Sequence, residues 1–172
     1  KGLNSVVTYG ANASGKTSFY KAMTFAIIMI RNSNNRQVNE VLPVVPFKFD
    51  ERSSISPSKF EFQFVGSDGY KYIYGFSATS KQIDEEYLYK FTSRKPTKIF
   101  ERKNDKYEFT AREAGALEPL VAWNTPNKLF LSTATMWNAQ STKTAYEWFV
   151  DSIDTFTDLT TLSNAALENY QG

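Results

Sequence analysis

"VVTYGANASGKTSFYKA", residues 6–22, is a β-branched run that breaks into glycines, reaches a lysine and passes into a helical pattern. Upstream, "LNSVVTY" at 3–9 is short, rich in β-branched residues and bounded by Gly10, the pattern of a buried strand. Downstream, from Ser14 to about Arg31, the apolar residues Phe19, Ala22, Met23, Ala26, Ile27 and Ile30 recur at intervals of three and four, which is helical spacing. The predicted unit is therefore strand, glycine loop, helix.

Within that unit Gly10, Gly15, Lys16 and Thr17 satisfy G-x-x-x-x-G-K-[ST], the phosphate-binding P-loop. Glycines let backbone N–H groups turn inward around phosphate with no Cβ in the way, and the helix that follows adds the positive end of its dipole. Lys16 is the expected catalytic cation, reaching the β- and γ-phosphates of ATP as a point charge, and the Thr17 hydroxyl is the expected ligand of Mg²⁺. The competing reading is a glycine-rich turn with a surface lysine. A strand before the loop and a helix after it favour the phosphate cradle.

Beyond the helix the pattern changes twice. "RNSNNRQVNE" at 31–40 is polar and turn-rich, and Pro43 and Pro46 hold the chain extended, so 32–58 reads as loop. Then the period becomes two: "KFEFQFV" sets Phe60, Phe62 and Phe64 on one face, and "GYKYIYGF" sets Tyr70, Tyr72, Tyr74 and Phe76 on one face, with "SDG" between them as a hairpin turn. "IDEEYLYKF" at 83–91, "TKIFERK" at 97–103 and "KYEFT" at 106–110 continue a meander of four or five strands. From 111 onward the pattern is helical again, in "NKLFLSTATMWNA" (127–139), "TAYEWFVDSIDTF" (144–156) and "LSNAALENY" (162–170).

Composition sets outer bounds. A chain of 172 residues has room for one core, or one core with an appendage. With 20 Lys+Arg against 18 Asp+Glu, bulk charge announces neither a nucleic acid nor a membrane partner. The lack of cysteine excludes disulfides and thiolate chemistry and suits a reducing, cytoplasmic setting. No apolar run approaches the roughly 18 residues of a membrane helix; "AMTFAIIMI" at 22–30 closes on Arg31 and reads as a buried helix. The chain opens at Lys1 with neither initiator Met nor signal peptide, and the expectation is a fragment.

"GANASGKTS" resembles the G-x-N-G/A-S-G-K-S/T loop of the ABC-type ATPases, including the heads of SMC-like and RecF-like proteins. "PSKFEFQF", "YKYIYGF", "EEYLYKF", "IFER", "NKLFLS" and "YEWF" follow in an order similar to that of bacterial ABC-like AAA ATPases of phage-defence and abortive-infection systems, over about residues 5–150. The resemblance implies an α/β P-loop lobe with a mostly antiparallel side sheet and C-terminal helices. It divides the chain into a P-loop strand and helix at 3–31, a loop at 32–58, an antiparallel subdomain at 59–110 and a helical part at 111–172. It also implies that Asn12 faces the γ-phosphate, that Gly10, Ala13, Ser14, Gly15, Lys16, Thr17 and Ser18 complete the nucleotide cradle, and that the protein self-associates through an ATP sandwich. The implied role is a nucleotide-driven switch controlling a toxin or nuclease effector, in the cytoplasm and away from the membrane. A RecF- or SMC-like head acting on DNA is the alternative, and a P-loop kinase is disfavoured by the aromatic sheet that follows the first helix.

Several motifs of that resemblance depart from expectation. "STATMWNAQ" at 132–140 falls where a Q-loop belongs, with Met136 in place of Gln and Asn138 and Gln140 nearby; Met136 and Trp137 read as core packing rather than as a nucleotide sensor. The only candidate for a Walker B strand is "WFVDSID" at 148–154, whose helical spacing argues against it, and there is neither an LSGG-like signature nor a histidine switch. The expectation is the binding half of a site without its hydrolytic half. Asp84, Glu85 and Glu86 read as a solvated strand edge rather than a metal site. The aromatic strand 70–76 reads as core rather than a base-stacking platform, and Arg31 and Arg36 as surface charges or contacts to DNA or a partner.

Overall fold

A computed structural model gives the fold of residues 6–9, 16–43 and 57–151. Strand β1 (Val6–Tyr9) leads to helix α1 (Lys16–Asn32) and a 3₁₀ turn at Ser33–Asn35. Strands β2 (Ser58–Val65), β3 (Lys71–Ala78), β4 (Ile83–Phe91), β5 (Pro96–Lys103) and β6 (Lys106–Phe109) follow. Helix α2 (Ala111–Leu117), a 3₁₀ turn (Glu118–Trp123), helix α3 (Phe130–Met136) and a helix over 140–151, here α4, complete it. The expected helix at 162–170 lies outside the described residues, as do 44–56 and the loop residues 10–15.

All strands lie in one sheet in chain order, β1-β2-β3-β4-β5-β6, and every pairing is antiparallel. The strand that precedes the glycine loop therefore belongs to the same sheet as the meander: Val6 pairs with Gln63 and Tyr9 with Phe60. Alternation assigns the faces. Phe60, Phe62, Phe64, Tyr72, Tyr74, Phe76, Leu88 and Phe100 point to the core, and all are buried. Tyr70 departs from its expected place on the core face. It precedes β3, in the hairpin turn, and is exposed, with the Lys90 ammonium 4.3 Å from its ring centroid.

The helices cover this aromatic face. From α1, Met23, Ala26, Ile27 and Ile30 are buried as their spacing predicts, and Phe25 stacks on Phe60 at 5.2 Å. From α4, Phe149 meets Phe62, Phe64 and Tyr74 edge-on at 5.2, 5.3 and 5.4 Å. From α3, Phe130 meets Phe100 and Tyr107 at 5.0 and 5.2 Å. Each such aromatic side chain contributes about 1.5–3 kcal/mol through burial, so this face is the main source of stability.

The opposite face carries polar and half-buried side chains and has one close approach. Tyr87 on β4 crosses Gly75 on β3 to donate its hydroxyl to Glu61 on β2. A Cβ at Gly75 would lie 2.2 Å from the Tyr87 ring, so only glycine leaves room for this three-strand link.

The helix expected at 127–139 is shorter, at Phe130–Met136. Ahead of it, carbonyls of the 125–128 segment accept from the Arg102 side chain, an alternative to helical pairing. After it, Asn138 takes φ 67, with Asn138 N–H bonded to Thr135 O and Ala139 N–H to Ala134 O, the paired bonds of a Schellman stop.

Candidate nucleotide site and its anchor

The described residues bracket the glycine loop. β1 ends at Tyr9 and α1 begins at Lys16, so Lys16, Thr17 and Ser18 form its first turn. None of the residues in that first turn is acidic, which suits the positive end of the helix to an anion. Gly10, Asn12, Ala13, Ser14 and Gly15 lie outside the described residues.

The far end of α1 is fixed by polar contacts to the 127–132 segment. Ser132 Oγ donates to Ile30 O at 2.7 Å, Asn34 Nδ2 to Ser132 O at 3.2 Å, and Leu129 N–H to Ser33 Oγ at 2.8 Å. Asn127 Nδ2 donates to Gln37 O and Glu40 O at 2.8 and 3.0 Å.

That segment is in turn held to the sheet by a buried ion pair. Glu86 on β4, fully buried, accepts from Arg102 Nη1 at 3.2 Å, Tyr74 hydroxyl at 2.9 Å, Phe130 N–H at 2.6 Å and Leu131 N–H at 2.9 Å. Arg102 on β5 also donates to the carbonyls of Asn104, Thr125, Pro126 and Lys128 at 2.9, 3.2, 3.2 and 2.6 Å. Burial pushes the Glu86 carboxyl above the ordinary carboxylate range, against the pull of the Arg102 charge and the two N–H donors. Burial and the Glu86 charge push the Tyr74 phenol up as well. This arrangement joins three strands, the start of α3 and the end of α1 in one rigid body.

Three expectations from the sequence change here. Glu86 does not share the solvated edge of Asp84 and Glu85; it lies on the core face with Leu88, as alternation from Leu88 indicates. Met136 and Trp137 are not core residues, being 61% and 46% exposed; Trp137 stacks on Trp123 at 4.5 Å. Arg36 is no surface charge, being buried with Nη2 3.7 Å from Met29 Sδ. Arg31 is exposed. Gln140, in the region read as a Q-loop, is exposed and donates to Asn138 O.

Two other readings agree with the structure. Tyr72, Tyr74 and Phe76 are buried and cannot stack bases. The "WFVD" of the Walker B candidate is helical, with Phe149 in the core and Asp151 exposed, while Asp154 lies outside the described residues. Among the described residues no group of acidic side chains could hold a metal ion, and no helix is long and apolar enough to cross a membrane.

A strand and helix flanking G-x-x-x-x-G-K-T, built on an antiparallel sheet with helices on one face, define a P-loop nucleotide-binding domain of the AAA class. The chain belongs to the family described as "AAA domain, putative AbiEii toxin, Type IV TA system", whose sequence pattern matches residues 6–149. Neither curated proteins nor solved structures give a match. Membership makes the chain a nucleotide-binding ATPase domain of a family linked by its description to a toxin–antitoxin system.

Proposed function

We propose that the chain binds ATP with Mg²⁺ at residues 10–18 and serves as the nucleotide-binding part of an ABC-like head, a dimerisation switch that controls a toxin or nuclease effector in cytoplasmic anti-phage defence. The observation that carries this reading is the G-x-x-x-x-G-K-T sequence between β1 and α1 in a chain of the AAA family. Gly10 and Gly15 admit the backbone cradle, Asn12 faces the γ-phosphate, and Ala13, Ser14 and Ser18 contribute backbone N–H groups. The Lys16 ammonium neutralises phosphate charge and, in turnover, stabilises the charge that develops on the transferred group. Mg²⁺ would supply charge neutralisation between the terminal phosphates, with the Thr17 hydroxyl among its ligands.

The division of labour between Lys16 and Thr17 is testable with a fluorescent ATP analogue. The unmutated chain is expected to bind it more tightly with Mg²⁺ than without, and Thr17→Ala to lose that difference while keeping metal-free affinity. Equal binding with and without Mg²⁺ in the unmutated chain would rule the assignment out.

A further inference from the structure

Among the described residues two buried side-chain polar atoms lack a hydrogen-bond partner, Arg36 Nε and Ser58 Oγ. The Arg36 guanidinium still reaches Met29 Sδ through Nη2. The Ser58 hydroxyl has no partner among these residues at all, although Ser58 is only 5% exposed. Elsewhere in the fold the buried hydroxyls of Ser33, Ser132, Thr133 and Thr142 are each bonded, to Leu129 N–H, Ile30 O, Asn124 Oδ1 and Ala139 O. A buried hydroxyl left unpaired carries its full desolvation cost, which an alanine at the same point of the strand would avoid.

The place of this hydroxyl in the fold suggests what it serves. Ser58 opens β2 and shares the core face with Phe60, as alternation and burial both show. Phe60 pairs with Tyr9, the last residue of β1, and its ring stacks on Phe25 of α1. Ser58 therefore lies about 7 Å beyond Phe60, at the end of the sheet where β1 stops and on the face that α1 covers. The chain crosses from β1 to α1 through residues 10–15. Ala78, which faces Ser58 from β3, has no polar side-chain atom to offer it.

We propose that Ser58 is a positioning residue of the nucleotide site, its hydroxyl donating to a backbone carbonyl of residues 10–15 when that loop holds phosphate. The inference rests on the nucleotide reading of the loop. A loop whose N–H groups turn inward around phosphate turns its carbonyls outward, and a carbonyl buried against the protein needs a donor. Ser58 supplies a donor at the end of the sheet from which the loop departs, on the side to which it crosses. Its hydrogen bond then favours the phosphate-holding conformation, and so adds to affinity without touching the nucleotide.

The test takes the 172-residue chain with Ser58→Ala and Ser58→Thr through thermal unfolding without nucleotide and calorimetric titration of ATP with Mg²⁺. Ser58→Ala is expected to raise the melting midpoint by about 2–4 °C, because an unpaired buried hydroxyl is gone. The same variant should bind ATP about three- to tenfold more weakly, because the loop has lost its donor. Ser58→Thr keeps the hydroxyl and should bind as the unmutated chain does. A serine that only fills the core would lower midpoint and affinity together, so that result overturns the proposal. Equal ATP affinity in Ser58→Ala and the unmutated chain overturns it too, and leaves the nucleotide reading standing. Absence of binding by the unmutated chain overturns that reading and this inference with it.

Discussion

Glu86→Ala is expected to cost the fold about 3–5 kcal/mol, the range for breaking a buried ion pair by removing one partner. The change strips acceptors from the Arg102 guanidinium, the Tyr74 hydroxyl and the N–H groups of Phe130 and Leu131, all at buried positions. It also loosens the 125–131 segment through which α1 is tied to the sheet. Native domains have only about 5–15 kcal/mol in total, so the variant should be close to unfolding. Replacing both partners, as Glu86→Leu with Arg102→Met, should not rescue the fold: no charge is then left unpaired, but the Phe130 and Leu131 N–H groups, the Tyr74 hydroxyl and the carbonyls held by Arg102 all lose their partners. Urea denaturation followed by tryptophan fluorescence checks both. A loss below about 1 kcal/mol for Glu86→Ala would mean that the cluster does not carry the load assigned to it.

Steady ATP turnover by the 172-residue chain is expected to be lower by a factor of about 10²–10⁴ than that of a P-loop site with a positioned base. A base of this kind belongs at the end of a buried strand, where it can polarise water against the γ-phosphate. Among the described residues no strand ends in an Asp–Glu pair, and the segment most like one, "WFVD", forms part of α4 with Asp151 turned to solvent. On the proposed reading the loop supplies affinity through backbone N–H groups and the Lys16 charge, while the described residues offer no base to add the transition-state contribution. Phosphate release measured beside a Lys16→Ala control decides the matter, because steady release abolished by that substitution would reveal a catalytic carboxylate within these residues.

Much of the fold was legible because its signals are local. The switch of apolar period from 3.6 in α1 to 2 in the meander places every core aromatic of β2 and β3 and misplaces Tyr70, an exposed residue in a turn where alternation no longer applies. The pairing of β1 with β2 was not legible, since a four-residue strand contains no record of its neighbour. Nor was the shortening of α3, which results from Arg102 claiming carbonyls 23 to 26 residues away in sequence. At the candidate site, spacing alone singles out Gly10, Gly15, Lys16 and Thr17 as a P-loop match. The anchor was missed. Its signal was present: Glu86 shares parity with Leu88, and Arg102 with Phe100, so both charges fall on the apolar face. The display of Trp137 could not be read, because a tryptophan at helical spacing looks the same whether the neighbouring space is filled or empty.

The central claim is that residues 10–18 hold nucleotide, and calorimetric titration of ATP with Mg²⁺ into the chain and into its Lys16→Ala variant tests it most directly. Charge-assisted hydrogen bonds from the ammonium to phosphate are worth about 1.5–3 kcal/mol each, so the variant is expected to bind about tenfold more weakly or worse while remaining folded. Saturable binding by the unmutated chain with that loss in the variant is the predicted result. Absence of binding by a folded chain, or equal affinity in the two proteins, would contradict it.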